Sequence, residues 1–249
     1  MKALITGASS GIGREFAYKL ADMGYDLVIA ARRRERLEEV KEKIKGRNVE
    51  ICVCNLVSKD ECVKLFEEHK DIDLLINNAG FGVFGEFDRT SLDKELEMLN
   101  VNIRALHILT KLYYLEMVRR NSGYILNVAS SAAFFPGPLF SSYYASKAYV
   151  LRLTQALSYE LKKKKSEVRV GVLCPGPVDT EFNRVAGVSF GVGSVTAKYA
   201  AQYALKKLFE GKVVIVPSIQ IKFTHFLSKI TPSFISERIV YRIQKEKCN

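Results

Sequence analysis

The sequence predicts an α/β fold, a parallel sheet of about seven strands with helices on both faces, and three observations carry that reading. Short β-rich apolar runs alternate with longer segments of helical periodicity along most of the chain. Each right-handed crossover between parallel strands needs a helix to return the chain to the same edge, and this alternation supplies one every time. A glycine-rich turn joins the first strand to the first helix. With 249 residues, 48% of them apolar, the chain can fill one substantial core, so a single large domain is expected.

Strands are expected at Ala3 to Thr6, Asp26 to Ala31, Val49 to Cys54, Leu74 to Ile76, Tyr124 to Ala129, Val168 to Leu173 and Val213 to Val216. Helices are expected between them, at Gly11 to Met23, Glu35 to Lys45, Lys59 to His69, Leu92 to Arg119, Ser142 to Lys163 and Val195 to Phe209. In such sheets ligands bind beyond the carboxyl ends of the strands, where Gly7, Asn78, Ser130 and Pro175 all fall. Residues 218–249 break the alternation. Ile219 to Ile230 and Phe234 to Ile243 carry apolar residues at helical spacing with basic residues between them, parted by Pro232, and read as two amphipathic helices. They extend a domain spanning residues 1–217, and pack on that domain, on a partner subunit or on a membrane.

Composition narrows the function. The net charge of +11 lies largely in scattered helical positions such as Lys41, Lys43 and Lys45, which argues against a nucleic-acid partner. The Lys162 to Lys165 run falls where a long helix ends, and cations there complement the helix dipole. The chain starts straight into Lys2-Ala3-Leu4-Ile5-Thr6, without a secretory pattern, and holds no apolar run of about 18 residues, so a cytoplasmic location is expected. Cys52, Cys54, Cys62, Cys174 and Cys248 form an odd set with no C-x-x-C pair and are expected as free, mostly buried thiols, with no metal site.

Thr6-Gly7-Ala8-Ser9-Ser10-Gly11-Ile12-Gly13 follows the first strand and opens the first helix, so backbone amides and the positive helix end face any pyrophosphate placed there. Gly7 permits the tight turn, Gly11 brings backbone near phosphate, and Gly13 lets helix and strand pack closely. After the second strand, where an NAD-selecting chain offers a carboxylate to the ribose, stand Arg32 and Arg33. Guanidinium groups attract a 2′-phosphate, so NADP(H) is expected as cofactor, with Arg32 the main contact and Arg33 the second. Tyr143 and Lys147, four residues apart in a helix, put a phenol beside an ammonium, a pairing suited to proton donation in carbonyl and alcohol chemistry. Ser130 lies upstream at the end of an apolar run.

Together, the TGASSGIG turn, Asn77-Asn78-Ala79-Gly80 after the fourth strand, Asn102 in LNVNIRA, Ser130, Tyr143, Lys147 and Pro175-Gly176 before Thr180 resemble the classical short-chain dehydrogenases/reductases over roughly Lys2 to Pro217. The resemblance implies a Rossmann-like sheet of order 3-2-1-4-5-6-7 and an oxidoreductase that moves a hydride between NADPH and a ketone or aldehyde. It implies that Tyr143 is the general acid or base, and that Lys147 lowers the phenol pKa and holds the nicotinamide ribose. Ser130 would then bind the substrate oxygen, and Asn102 would support a water path from Lys147. Asn78, Ala79 and Gly80 would line the adenosine-ribose and pyrophosphate side, while Pro175, Gly176, Val178 and Thr180 would flank the nicotinamide. Ser131, Tyr144 and Asn100 are neighbouring rivals for the roles of Ser130, Tyr143 and Asn102. Where the family commonly has an adenine-contacting aspartate, this chain has Asn55-Leu56, and asparagine retains both an acceptor and a donor.

Apolar residues after Ser130 (Ala132 to Pro136, Leu139, Phe140) and in Phe182 to Gly193, which the resemblance makes a lid, imply a hydrophobic small-molecule substrate. Core or subunit packing is the competing reading of these aromatics. The resemblance also implies a homodimer or homotetramer built on the long helices beginning near Leu92 and Ser142. The alternative function is a catalytically silent NADP(H)-sensing or membrane-associated binding protein on the same fold.

Overall fold

The protein was analysed as a computed structural model, which describes residues 1–178, 180–182 and 195–246. Seven parallel strands form one sheet of order β3-β2-β1-β4-β5-β6-β7: β1 (Lys2–Thr6), β2 (Asp26–Ala31), β3 (Val49–Val53), β4 (Leu74–Asn77), β5 (Tyr124–Val128), β6 (Arg169–Leu173) and β7 (Val214–Ile215). The order reverses between β1 and β4, where Leu4 pairs with Val28 on one side and Leu75 on the other. This Rossmann-like order agrees with the expectation, and it opens a crevice above the carboxyl ends of β1 and β4.

Alternate side chains of the central strands feed two cores. Ala3 and Ile5 pack with Phe16, Leu20 and Leu205 under α1 (Gly11–Asp22), α2 (Arg34–Glu42) and α7 (Ala197–Phe209). Leu4 and Leu75 pack with Leu65, Leu109 and Tyr113 under α3 (Lys59–Glu68), α5 (Leu106–Arg120) and α6 (Ser141–Lys163). Strands covered on both faces must be apolar throughout, which is why these runs were legible. Below the crevice a buried polar chain ties sheet to helices: Asn77 Nδ2 donates to Thr110 Oγ1 (3.0 Å) and Asn127 Oδ1 (2.9 Å), and Asn127 Nδ2 donates to Thr154 Oγ1 (3.0 Å). Lys162 and Lys163 occupy the last turn of α6, as the dipole argument requires. Cys52, Cys54, Cys62 and Cys174 carry no disulfide, while Cys248 lies outside the described residues.

The helix expected at Glu35 to Lys45 ends at Glu42, and two further expectations change. The continuous helix read at Leu92 to Arg119 is instead α4 (Leu92–Leu99), a π-helical segment (Asn100–Ala105) and α5. The wider turn lets Asn102 reach sideways to the loop after β4, a demand that sequence periodicity does not register. The last strand shortens from four residues to two, Val214–Ile215, because it is an edge strand paired only with β6. The two C-terminal helices form as read, α8 (Ile219–Leu227) and α9 (Ser233–Lys245).

Candidate active site

The crevice is a cleft of about 470 Å³ running from the glycine turn to the start of α6. Every site residue expected from the sequence lines it except Gly13 and Asn102, which stand directly behind its wall. At one end, Gly7 adopts a left-handed φ of +66°, and a Cβ on Gly13 would come within 2.2 Å of the Gly7 carbonyl oxygen. Close strand-to-helix contact therefore requires glycine at both. Ser10 caps α1 with extended backbone and no side-chain bond, so the first amides of that helix remain available to an anion beside Ser9, Gly11 and Ile12.

Asn78 serves this turn with its side chain. Its Nδ2 donates to the carbonyls of Thr6 (3.0 Å) and Gly7 (3.1 Å), and Thr6 Oγ1 in turn accepts from the amides of Asn78 and Ala79. Asn78 thus locks the loop after β4 onto the loop after β1 while lining the cleft with Ala79 and Gly80. Arg33 Nη2 donates to Ser9 Oγ (3.4 Å) and pairs with Glu181 (2.7 Å), whereas Arg32 pairs with Glu97 (3.1 Å). Both pairs are exposed and weak against a competing phosphate. Asn55 uses its Oδ1 to accept from the Val57 amide (3.2 Å), and it lines the cleft with Leu56.

At the other end, α6 delivers Tyr143 and Lys147, both buried. Tyr143 lines the cleft beside Ser130, whose Oγ accepts from the Ala132 amide (3.2 Å) where the 3₁₀ turn Ser131–Phe134 begins. Burial pushes the phenol above its ordinary value, and the neighbouring Ser130 hydroxyl offsets part of that rise. Lys147 Nζ donates to the Val128 carbonyl (3.0 Å) and lies 5.7 Å from the Tyr143 ring centroid. Burial lowers its amine to about 8. Asn102 is fully buried, accepts from the Phe81 amide (3.1 Å), and donates to the Phe81 carbonyl (2.9 Å) and Ser146 Oγ (3.1 Å). A Cβ on Gly80 would lie 2.8 Å from Asn102 Oδ1 and 3.3 Å from Lys147 Nζ, so the π segment, the loop after β4 and α6 converge there. Asn100 is only half-buried.

Pro175, Gly176, Val178 and Thr180 line the opposite wall, with Thr180 against Gly11. The walls around the Tyr143 hydroxyl are aromatic: Phe140 stacks on Tyr143 at 4.4 Å, Phe182 lies at 5.4 Å, and Phe81 and Ala132 add to the lining. Ala133, Phe134, Phe135, Pro136 and Leu139 are absent from this lining, and Phe134 instead meets His225 of α8, centroids 4.0 Å apart. Phe190 and the rest of the expected lid beyond Phe182, residues 183–193, lie outside the described residues. Among the lining residues that sequence reasoning did not assign, such as Val101, Pro177 and Glu181, the one from farthest along the chain is Gln244. Gln244 of α9, almost fully buried, donates through Nε2 to the Tyr144 hydroxyl at the cleft wall. No motif marks it; its sequence signal is its place in Ser236-x₃-Val240-x₃-Gln244, the buried stripe of α9.

The arrangement offers anion-binding amides at one end and a buried phenol beside a buried amine at the other, joined by one groove. Residues 1–189 match the family model described as short chain dehydrogenase. The chain is 34% identical over 189 residues to 17-beta-hydroxysteroid dehydrogenase type 3 of Homo sapiens, an alignment covering 73% of this chain and 60% of that protein. Among solved structures, a short-chain dehydrogenase from Sphingobium yanoikuyae in complex with NADPH superposes with a TM-score of 0.84 at 28% identity, covering 92% of this chain and 93% of that one. A short chain dehydrogenase/reductase from Burkholderia phymatum in complex with NAD superposes with a TM-score of 0.83 at 26% identity, covering 91% and 92%. Strand order, glycine turn and the match over three quarters of the length agree, and the chain belongs to the short-chain dehydrogenase/reductase family of oxidoreductases.

Proposed function

We propose that this protein is an NADPH-dependent carbonyl reductase that converts an apolar ketone or aldehyde to the alcohol. The observation that carries the reading is that Tyr143, Ser130 and Lys147 line, among aromatic walls, the same cleft as the glycine turn. The cleft fits a dinucleotide by its own features: the free first amides of α1, the left-handed Gly7 turn beside them, and the Arg33 guanidinium next to Ser9. When bound, the nicotinamide supplies the hydride. Ser130 and Tyr143 hold the substrate oxygen, and Tyr143 gives it the phenolic proton as it becomes the alcohol. Burial keeps the phenol protonated through neutral pH, which favours reduction over oxidation. The buried Lys147 ammonium stabilises the phenolate left behind by Coulomb attraction and suits the nicotinamide ribose as a donor. Asn102 holds Phe81 and Ser146 in place, and its Oδ1 keeps a second lone pair for a water.

Arg32 and Arg33 make NADPH the better cofactor, because no carboxylate follows β2 to repel the 2′-phosphate and two guanidinium groups do follow it. The NADPH-bound and NAD-bound relatives support a nicotinamide cofactor equally, so this choice rests on the arginines. An apolar substrate is supported by Phe81, Phe140 and Phe182, and by the hydroxysteroid dehydrogenase among the relatives. Exposed Leu115 on α5 and Tyr159 on α6 support assembly of a homo-oligomer through these helices.

A panel of apolar ketones and aldehydes, followed by NADPH absorbance, tests the whole reading. Tyr143→Phe should lower kcat by roughly 10²- to 10⁴-fold while leaving NADPH affinity nearly unchanged. Cofactor binding without turnover across the panel would instead favour the sensor function. Arg32→Ala and Arg33→Ala should each raise KM for NADPH roughly tenfold while barely moving KM for NADH; equal effects on both cofactors would refute the NADPH assignment.

A further inference from the structure

The last two helices carry most of their large apolar residues on the side away from the protein. Along α8 and the turn after it, Ile219, Phe223, Phe226 and Ile230 follow at steps of four, three and four residues, hence on one face. All four are exposed, Phe223 by 62% and Phe226 by 59%. The opposite side of α8 meets the domain through Ile221 against Gly176 and His225 against Phe134. The inversion is fuller in α9, whose buried stripe is Ser236, Val240 and Gln244, while Ile235, Ile239 and Ile243 are exposed. A helix surrounded by water on its outer side normally has the reverse pattern.

The same segment is basic. Residues 218–246 hold five cations, Lys222, Lys229, Arg238, Arg242 and Lys245, against the two carboxylates of Glu237 and Glu246. We propose that α8 and α9 form a docking surface for an anionic lipid bilayer, lying in its interfacial plane with Phe and Ile side chains among the acyl chains and Lys and Arg at the headgroups. The apolar stripes require a non-aqueous cover, and the cations beside them select an anionic one. A second copy of the chain fits less well, since a two-fold contact would set Arg238 and Arg242 against the same cationic face. Among the described residues no helix is long and apolar enough to cross a membrane, so the attachment is peripheral. The buried stripe of α9 ends at Gln244 in the cleft, so docking brings the cleft edge to the bilayer. That last consequence rests on the cleft being the carbonyl site; the docking does not.

Cosedimentation of the full chain with phosphatidylcholine vesicles, with and without phosphatidylglycerol, tests the surface. The chain should pellet with the anionic vesicles, far less with the neutral ones, and added salt should release it. The doubly substituted Phe226→Ser/Ile239→Ser chain should lose partitioning on the order of a hundredfold, and Arg238→Gln/Arg242→Gln on the order of tenfold or more, with unchanged melting temperatures verifying the fold of each. Failure to pellet with anionic vesicles, or equal binding by the native and Phe226→Ser/Ile239→Ser chains, would overturn the proposal. So would equal binding to neutral and anionic vesicles, or a dimer in sedimentation velocity that the same pair of substitutions dissociates, which would assign the face to a second copy. A chain that pellets yet reduces no carbonyl would sink the enzymatic reading and leave the docking intact.

Discussion

Lys147 is almost wholly removed from water, and among the described residues its Nζ is held by the 3.0 Å contact to the Val128 carbonyl. A neutral carbonyl returns only part of what an ammonium loses on leaving water, so burial brings the amine from 10.5 to about 8. Below pH 8 folded and unfolded chains are both charged, and the folded form bears the full desolvation cost. Between pH 8 and pH 10.5 the unfolded chain still binds the proton that the folded chain has released, so stability rises with pH across that window. For the cofactor-free protein the gain is on the order of 3 kcal/mol, and Lys147→Met should abolish it. Denaturant titrations of both proteins at the two ends of the window would check this; parallel slopes would refute it. The position of Lys147 was legible in the sequence because it stands one helical turn from Tyr143, a purely local relation. The side-chain use of Asn78 was not, since its partners, Thr6 and Gly7, lie more than seventy residues away in the chain.

The π segment shows where legibility by element ends. Apolar periodicity runs through Leu92 to Arg119 without a break, and nothing local in it distinguishes one long helix from two joined by a wider turn. The wider turn answers to Phe81, whose amide and carbonyl both bond to the Asn102 side chain from a loop twenty-one residues upstream. Strands were easier to read: burial on both faces imposes a composition on each strand itself, and the missed boundaries are at edges such as β7. The Asn102 contact has a stability consequence. Asn102→Ala would strand two backbone groups of Phe81 and the Ser146 hydroxyl contact, at a cost of about 2 kcal/mol or more. Asn100→Ala, on the same segment at a half-buried position, should cost much less. Chemical denaturation of the two variants tests the assignment, and equal losses would show that the segment bends for reasons other than this clamp.

Across the whole molecule, the cleft is closed by a residue near the far end of the chain, Gln244, which meets a tyrosine one hundred positions earlier. The family motifs stop well before α9, so nothing in them could announce this contact, and the helix itself was legible only as an amphipathic stretch without a destination. Its geometry separates two ends of one groove. The dinucleotide end is built from the loops after β1, β2 and β4, all remote in sequence from α9, whereas Tyr144 and Gln244 border the aromatic end beside Tyr143. A change at Gln244 should therefore act on the carbonyl substrate and spare the cofactor. Gln244→Ala removes the amide that donates to Tyr144 and opens space at the cleft wall, so KM for a bulky apolar ketone should change several-fold while KM for NADPH stays within error. Because Ser130 and Lys147 keep their own partners, and Tyr143 keeps its stacking on Phe140, kcat should move less than KM. Steady-state kinetics over a series of ketones of increasing size would decide the matter: a uniform fall in kcat with no dependence on substrate size would mean that α9 merely braces α6, whereas a size-dependent shift in KM would make the final helix the wall that sorts substrates.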